Sequence, residues 1–66
     1  MNVHVNGAVR PLDAGTTVGR LVDTQVRDRR GVAVAVDGEV VPRRDWDATP
    51  LVDGARIELV GAVQGG

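Results

Sequence analysis

The feature of this sequence that most constrains its fold is a single amphipathic helix pattern between strand-like segments. Four apolar residues share one helical face at i, i+3, i+4 and i+8: Val18, Leu21, Val22 and Val26. We expect about three turns, entered from a loop at residues 14–17 whose threonines suit an N-cap. Gly19 weakens this helix by ~1 kcal/mol relative to alanine. Gly31 is the expected C-terminal stop, and nearby cations would complement the helix dipole: Arg27, Arg29 and Arg30.

Strand patterns and turn signals surround this helix. Residues 2–6 alternate polar and apolar side chains, and Asn6-Gly7 is a strong hairpin signal. Residues 8–13 form the expected return strand, in which Pro11 indicates a sheet edge or a bulge. After the helix, the β-branched run at residues 32–36 predicts a central strand. Asp37-Gly38 then predicts a second hairpin into residues 39–41, which Pro42 ends.

The remaining third of the chain contains one irregular connection and the last strand. Residues 43–46 indicate a helical turn or irregular crossover, and residues 49–52 are consistent with a short strand. After the Asp53-Gly54 turn, residues 55–60 form the last strand, with Ile57 and Leu59 on one face.

The resulting β-β-α-β-β-β order predicts a two-layer α+β domain, because one helix stripe covers one sheet face. The order matches the ubiquitin-like β-grasp layout: a mixed four- to five-stranded sheet with one main helix packed on one face. In that layout the last strand is central and pairs with the first. We therefore expect a β-grasp domain at residues 1–60 and a flexible C-terminal tail at residues 61–66.

Composition excludes several functional classes. A chain of 66 residues forms one small domain with little room for both a core and a catalytic pocket. The absence of cysteine excludes disulfides, thiolate catalysis and cysteine metal sites. A net charge of −1 argues against a nucleic-acid partner. No apolar run approaches the ~18–20 residues that cross a bilayer, and the opening residues lack signal-peptide character. We expect a cytoplasmic protein without a membrane partner.

The sequence ends in Gly65-Gly66, where the absence of Cβ atoms leaves a narrow backbone. Such an end could enter an active site that rejects any side chain, with the terminal carboxylate as the reacting group. It could equally be a frayed terminus, because chain ends are commonly disordered. We expect disorder from about Ala62 onward.

Stretches along the whole chain carry a family resemblance: Val3-His4-Val5-Asn6, Gly15-Thr16-Thr17-Val18, residues 36–41, Val41-Pro42-Arg43 followed by Trp46, Val52-Asp53-Gly54, Ile57 and Gly65-Gly66. In these the sequence resembles the ThiS family of thiamine-biosynthesis sulfur carriers. Its length and its Pro-Arg-x-x-Trp element resemble ThiS more than the related molybdopterin-synthase subunit MoaD. Ala55 departs from the family, which often carries an acidic residue there.

The resemblance implies a carrier protein and not an enzyme. It implies that a ThiF-like adenylyltransferase activates the Gly66 carboxylate with ATP and Mg²⁺, while this chain binds no cofactor. A sulfur donor protein then converts the acyl-adenylate to a thiocarboxylate, whose sulfur passes to a ThiG-like thiazole synthase. Gly65 would allow access to the partner's channel. The free carrier is expected to be a monomer.

The positions of several other residues in the sequence predict where their side chains lie. The exposed face of the last strand, with Val60, Ala62 and Val63, is the predicted docking patch for partner enzymes. His4 lacks a second metal ligand and is expected on the surface. Trp46 is expected to pack over a core edge. The arginines at 27, 29, 30, 43 and 44 are interpreted as a solvated face that could alternatively dock an acidic groove.

Three other functions fit the same features: a sulfur carrier for molybdopterin or cysteine synthesis, a ubiquitin-like protein modifier, and a plain β-grasp interaction module.

Overall fold

A computed structural model describes residues 1–61 of the chain. Within that range lie five strands, one α-helix and one 3-10 helix: β1 (Asn2–Val5), β2 (Ala8–Pro11), α1 (Val18–Gln25), β3 (Val32–Val36), β4 (Glu39–Val40), the 3-10 helix (Arg43–Ala48) and β5 (Arg56–Gly61). The predicted order of elements is confirmed. No helix in this part of the chain is long and apolar enough to cross a membrane.

The five strands form one mixed sheet in the order β2-β1-β5-β3-β4. The last strand is central, as predicted: β5 runs parallel to β1 on one side and antiparallel to β3 on the other. Pro11 lies in β2, at the edge of the sheet, where a residue without an N–H is tolerated. The β-branched strand β3 is interior, between β5 and β4.

One apolar core joins α1 to one face of this sheet. The helix contributes Val18, Leu21 and Val22, three of the four residues of the predicted stripe, and all three are buried. The sheet and loops contribute the other buried apolar side chains: Val3, Val5, Val34, Trp46, Leu51, Ala55 and Ile57. The opposite sheet face lacks a covering helix within residues 1–61, so the domain has two layers.

The helix is shorter than the sequence predicts. It ends at Gln25, and Val26 adopts an extended conformation while its N–H donates to the carbonyl of Val22 (2.9 Å). The last helical turn therefore contains no basic residue, and Gly31 lies in the following loop with φ of 75°. The expectation that the arginines complement the helix dipole is wrong. Val26 still packs against the core, as a partly buried residue.

The connection into β5 also differs from expectation. Residues 43–46 do form a helical turn, which extends to Ala48 as a 3-10 helix. The short strand predicted at residues 49–52 is wrong, because that segment makes a single bridge between Pro50 and Thr17 and no continuous ladder. β5 includes Gly61, one residue beyond the predicted end, because Gly61 still lies opposite Val32 in β3.

Trp46 packs as predicted and anchors the 3-10 helix. Its side chain is 1% exposed, and its indole N–H donates to the carbonyl of Val41 (2.8 Å). The Arg29 guanidinium lies 5.7 Å from the ring centroid, within the range of a cation–π contact. The ring thus joins the 3-10 helix to the core and to the loop that follows α1.

Candidate functional site

The predicted chemistry belongs to the residues that follow β5. Gly65 and Gly66, with Ala62 and Val63 of the predicted docking patch, lie outside the described residues, and so does the disorder predicted from Ala62 onward. The structure describes the strand that precedes them. This strand is the centre of the sheet and is paired on both sides, so residues 62–66 continue from a firmly held element.

Side chains of β5 alternate between the two faces of the sheet. Ile57 is buried and Leu59 half-buried on the helix side, which confirms that these two residues share a face. Glu58 and Val60 point the other way, and Val60 is 63% exposed. Val60 therefore lies on an uncovered sheet face, one residue before the end of β5.

Small and apolar neighbours extend this exposed face across β3 and β4. Val60 is opposite Ala33, and Val40 is opposite Ala35. Since Val34 points into the core, alternation directs Ala33 and Ala35 to the other side of the sheet. We call Ala33, Ala35, Val40 and Val60 the outer apolar strip. Sequence analysis named Val60 alone of these four, although the alternation of Val and Ala in β3 was a visible signal for two others.

Polar side chains occupy the same sheet face on the other side of β5. His4 is opposite Arg56 in the β1–β5 register. His4 was expected on the surface, but the structure shows it half-buried. A shallow cavity is lined here by His4, Asn6, Gly7, Arg56, Ile57 and Glu58. Within residues 1–61 there is no cluster of three His, Cys, Asp or Glu residues that could hold a metal ion.

Two of the arginines that follow α1 are paired with acidic side chains. Arg29 contacts Asp23 (2.8 Å) and Asp47 (3.0 Å), and its guanidinium also donates to the carbonyl of Gly19 (3.2 Å). The hydrogen bond from Arg29 lowers the pKa of Asp23, and these two carboxylates raise the pKa of Arg29. Arg29 therefore ties the loop to α1 and to the 3-10 helix, so it is a structural residue and not a member of a solvated cluster.

Arg30 forms a second, local pair with Asp28 (2.7 Å). Hydrogen bonds from the Arg30 side chain, and then from its backbone N–H, lower the pKa of Asp28 to about 2. Arg27, Arg43 and Arg44 are exposed, as predicted for a solvated face.

A mixed sheet with one helix on one face, and a central last strand leading to a Gly-Gly end, defines a ubiquitin-like β-grasp protein. The model of the ThiS family matches residues 3–66, which is nearly the whole sequence and includes both terminal glycines. The chain belongs to the ThiS family. The family resemblance and the predicted fold class are both confirmed.

Curated relatives agree with this family. The chain is 30% identical over 66 residues to the sulfur carrier protein ThiS of Escherichia coli K12, and the match covers all of both chains. It is 33% identical over 66 residues to a thiazole synthase of Paramagnetospirillum magneticum, of whose length it spans 20%. A region similar to this chain thus occurs within that longer protein.

Solved structures show the same fold. The crystal structure of a thiamine biosynthesis protein (ThiS) from Geobacter metallireducens matches with a TM-score of 0.82 and 33% identity, covering all of both chains. A solution structure of a thiamine biosynthesis protein from the same organism matches with a TM-score of 0.79 and 33% identity. That match covers all of this chain and 88% of the other.

Proposed function

We propose that this chain is a sulfur carrier for the thiazole branch of thiamine biosynthesis, with Gly66 as the residue that carries sulfur. The observation that carries this proposal is the extent of the family match, which runs through Gly65 and Gly66. The end-to-end alignment with the ThiS of Escherichia coli supports it. The protein acts as a cosubstrate of partner enzymes and is not itself a catalyst.

The chemistry requires activation of the Gly66 carboxylate. A carboxylate is a poor acyl donor, because its oxygen is a poor leaving group. A ThiF-like adenylyltransferase uses ATP and Mg²⁺: a carboxylate oxygen attacks the α-phosphorus, and pyrophosphate leaves. Hydrosulfide supplied by a donor protein then attacks the acyl carbon, AMP leaves, and loss of the S–H proton yields the thiocarboxylate. The ATP-binding site belongs to the partner, since this sequence has no phosphate-cradling loop.

Thiazole synthase is the proposed acceptor of the sulfur. A thiazole synthase that contains a region similar to this chain supports the assignment, because a carrier and its acceptor would then share one polypeptide. The other sulfur-carrier pathways considered above have no such support among these relatives.

The outer apolar strip is the proposed docking surface for the partner enzymes. It lies on the uncovered face of the sheet, and its two valines are exposed: Val40 and Val60. Val60 is near the end of the strand that leads to Gly66. Ala62 and Val63 of the predicted patch continue from it in sequence. A partner that binds this strip holds β5, and so presents residues 62–66 to its active site.

An intact-mass measurement tests the function. The purified chain is incubated with ATP, Mg²⁺, a ThiF-like adenylyltransferase and a sulfur source. The chain mass should rise by the difference between one sulfur and one oxygen atom, and the reaction should release pyrophosphate. A variant that lacks Gly65 and Gly66 is the control and should remain unchanged. An unchanged mass of the full chain, with an enzyme that modifies the ThiS of Escherichia coli, would contradict the proposal.

A further inference from the structure

One hairpin turn lies on each side of β5, and each of the two turns contacts β5 through a side chain. Asn6-Gly7 joins β1 to β2, with φ of 49° and 87°. Asp37-Gly38 joins β3 to β4, with φ of 50° and 87°. Asn and Asp tolerate this left-handed conformation better than most residues, which explains their place in the turns. It does not explain why each side chain also binds the central strand.

The Asn6 side chain continues the hydrogen-bond ladder between β1 and β5. The N–H of His4 donates to the carbonyl of Ala55 (2.8 Å), and that of Asn6 donates to the carbonyl of Ile57 (2.9 Å). The next carbonyl in this two-residue step is that of Leu59. The main chain of β1 cannot reach it, because β1 ends at Val5 and the chain turns away at Asn6-Gly7.

The carboxamide of Asn6 takes the place of the missing peptide group. Its Nδ2 donates to the carbonyl of Leu59 (3.3 Å), and its Oδ1 accepts from the N–H of Leu59 (2.9 Å). A carboxamide has the donor and the acceptor of a peptide in one plane. A carboxylate at this position could accept from the N–H of Leu59, but it would face the carbonyl without a proton to donate.

Asp37 makes the contrasting contact at the start of the same strand. Its Oδ1 accepts from the N–H of Arg56 (3.0 Å), while its own backbone N–H donates to the carbonyl of Arg56 (2.8 Å). Here the main chain supplies the donor, so an acceptor side chain suffices. The two turns thus need different side chains, and Asn6 acts on the end of β5 that leads to residues 62–66.

We propose that Asn6 is a positioning residue for the acyl-transfer chemistry of the tail. By pairing both backbone groups of Leu59, it holds the last part of β5 in register. It thereby lowers the conformational cost of presenting Gly66 to an adenylating partner, since ordering a segment before binding leaves less entropy to lose. This inference rests on the proposed function of Gly66.

The test compares two glycine variants. Asn6→Gly keeps the positive φ and removes both side-chain bonds, and Asp37→Gly makes the same change in the other turn. We expect Asn6→Gly to raise the KM of the chain in adenylation roughly three- to tenfold, from the loss of two hydrogen bonds. The kcat should stay unchanged. Asn6→Asp should raise KM comparably at high salt, where its added charge is screened. Asp37→Gly should leave KM near the wild-type value.

Amide hydrogen exchange separates this inference from the proposed function. The N–H of Leu59 should exchange faster in Asn6→Gly than in wild type. In Asp37→Gly the N–H of Arg56 should exchange faster instead, and that of Leu59 should not change. An unchanged Leu59 exchange rate, or an unchanged KM in a folded Asn6→Gly variant, overturns the role of Asn6. If the wild-type chain is not adenylated at all, the proposed function fails, and the exchange data still decide whether Asn6 holds the end of β5.

Discussion

A buried glycine in the first turn of α1 shows how one residue permits a tertiary contact. Gly19 costs the helix stability, yet a Cβ built there would collide with the carboxylate of Asp47 and lie 2.9 Å from the Arg29 guanidinium. The same guanidinium donates to the Gly19 carbonyl. The missing side chain therefore lets Arg29 and Asp47 lie against the helix, which joins α1 to the 3-10 helix.

A double-mutant cycle tests this explanation. Alanine favours a helix over glycine by ~1 kcal/mol, so Gly19→Ala should stabilise an Asp47→Ala background by up to about that amount. In the wild-type background the new methyl group displaces Asp47. Gly19→Ala should therefore stabilise the fold less there, or destabilise it. Urea unfolding followed by fluorescence of Trp46, the single aromatic residue, measures both. Equal gains in the two backgrounds would show that Asp47 does not restrict position 19.

The Asp28–Arg30 pair leads to a prediction about pH. The pKa of Asp28 is lowered from 3.8 to about 2, mainly by the Arg30 side chain. A pKa that is lower in the folded state means that the carboxylate stabilises the fold above pH 3.8, and that this contribution disappears as pH falls towards 2. Carboxyl-carbon NMR titration should show the Asp28 midpoint returning towards 3.8 in Arg30→Ala.

Arg43 supplies the matched control for that titration. Its charge is the last and smallest of the causes that lower the pKa of Asp28. Arg43→Ala should therefore move the Asp28 midpoint far less than Arg30→Ala does. Similar shifts in the two variants would mean that general surface charge, and not the Arg30 hydrogen bonds, sets the pKa.

The start of α1 was predictable at the scale of elements, because a cap is a local feature. The Thr17 hydroxyl accepts from the backbone N–H of Arg20 (3.2 Å), as expected for an N-cap. Thr17→Ala should destabilise the fold by about 1 kcal/mol. For a domain of this size that corresponds to a fall of roughly 4–8 °C in Tm. Thr17→Ser keeps the hydroxyl, so its Tm in thermal unfolding should fall much less. If serine is as damaging as alanine, the methyl group and not the cap is responsible.

The end of α1 was not predictable from local pattern. Apolar spacing continues through Val26, and Gly31 looks like a stop, yet the helix ends at Gln25. The loop after it is held by Arg29, which reaches Asp23 in α1 and Asp47 in the 3-10 helix. Asp47 is 18 residues away in sequence, so no periodicity in the helix segment indicates this contact.

At the scale of the whole molecule, most of the fold could be predicted from the order of the strands and the helix. The two Asx-Gly hairpins, the one helix stripe and the β-branched run predicted an order of elements that matches the β-grasp layout. The central position of the last strand was expected from that layout. The candidate site was predicted in part. Gly66 follows from the family resemblance, and Val60 from the scarcity of core beyond β5. Ala33, Ala35 and Val40 were missed, because knowing that β3 lies beside β5 requires the sheet order, which is non-local.

The outer apolar strip offers a test at this same scale, because the molecule contains a matched control. Val60 and Val52 are the same residue type with nearly equal exposure, 63% and 64%, but Val52 lies in the loop before β5 and outside the strip. Neither side chain contributes to the buried core. Replacing either with glutamate should therefore change the unfolding free energy by less than about 0.5 kcal/mol.

Their effects on partner binding should differ. A carboxylate at position 60 must be desolvated when an apolar partner surface covers the strip, so Val60→Glu should raise the KM for adenylation by about tenfold or more. Val52→Glu should leave KM within about twofold of wild type, since surface changes outside an interface are nearly neutral. Steady-state pyrophosphate release measures both variants. Equal KM values for the two would place the docking surface elsewhere, and a rise confined to Val52→Glu would move it to the loop that precedes β5. A rise confined to Val60→Glu would place partner contact on the strand from which the tail continues, so that one element both binds the enzyme and presents Gly66.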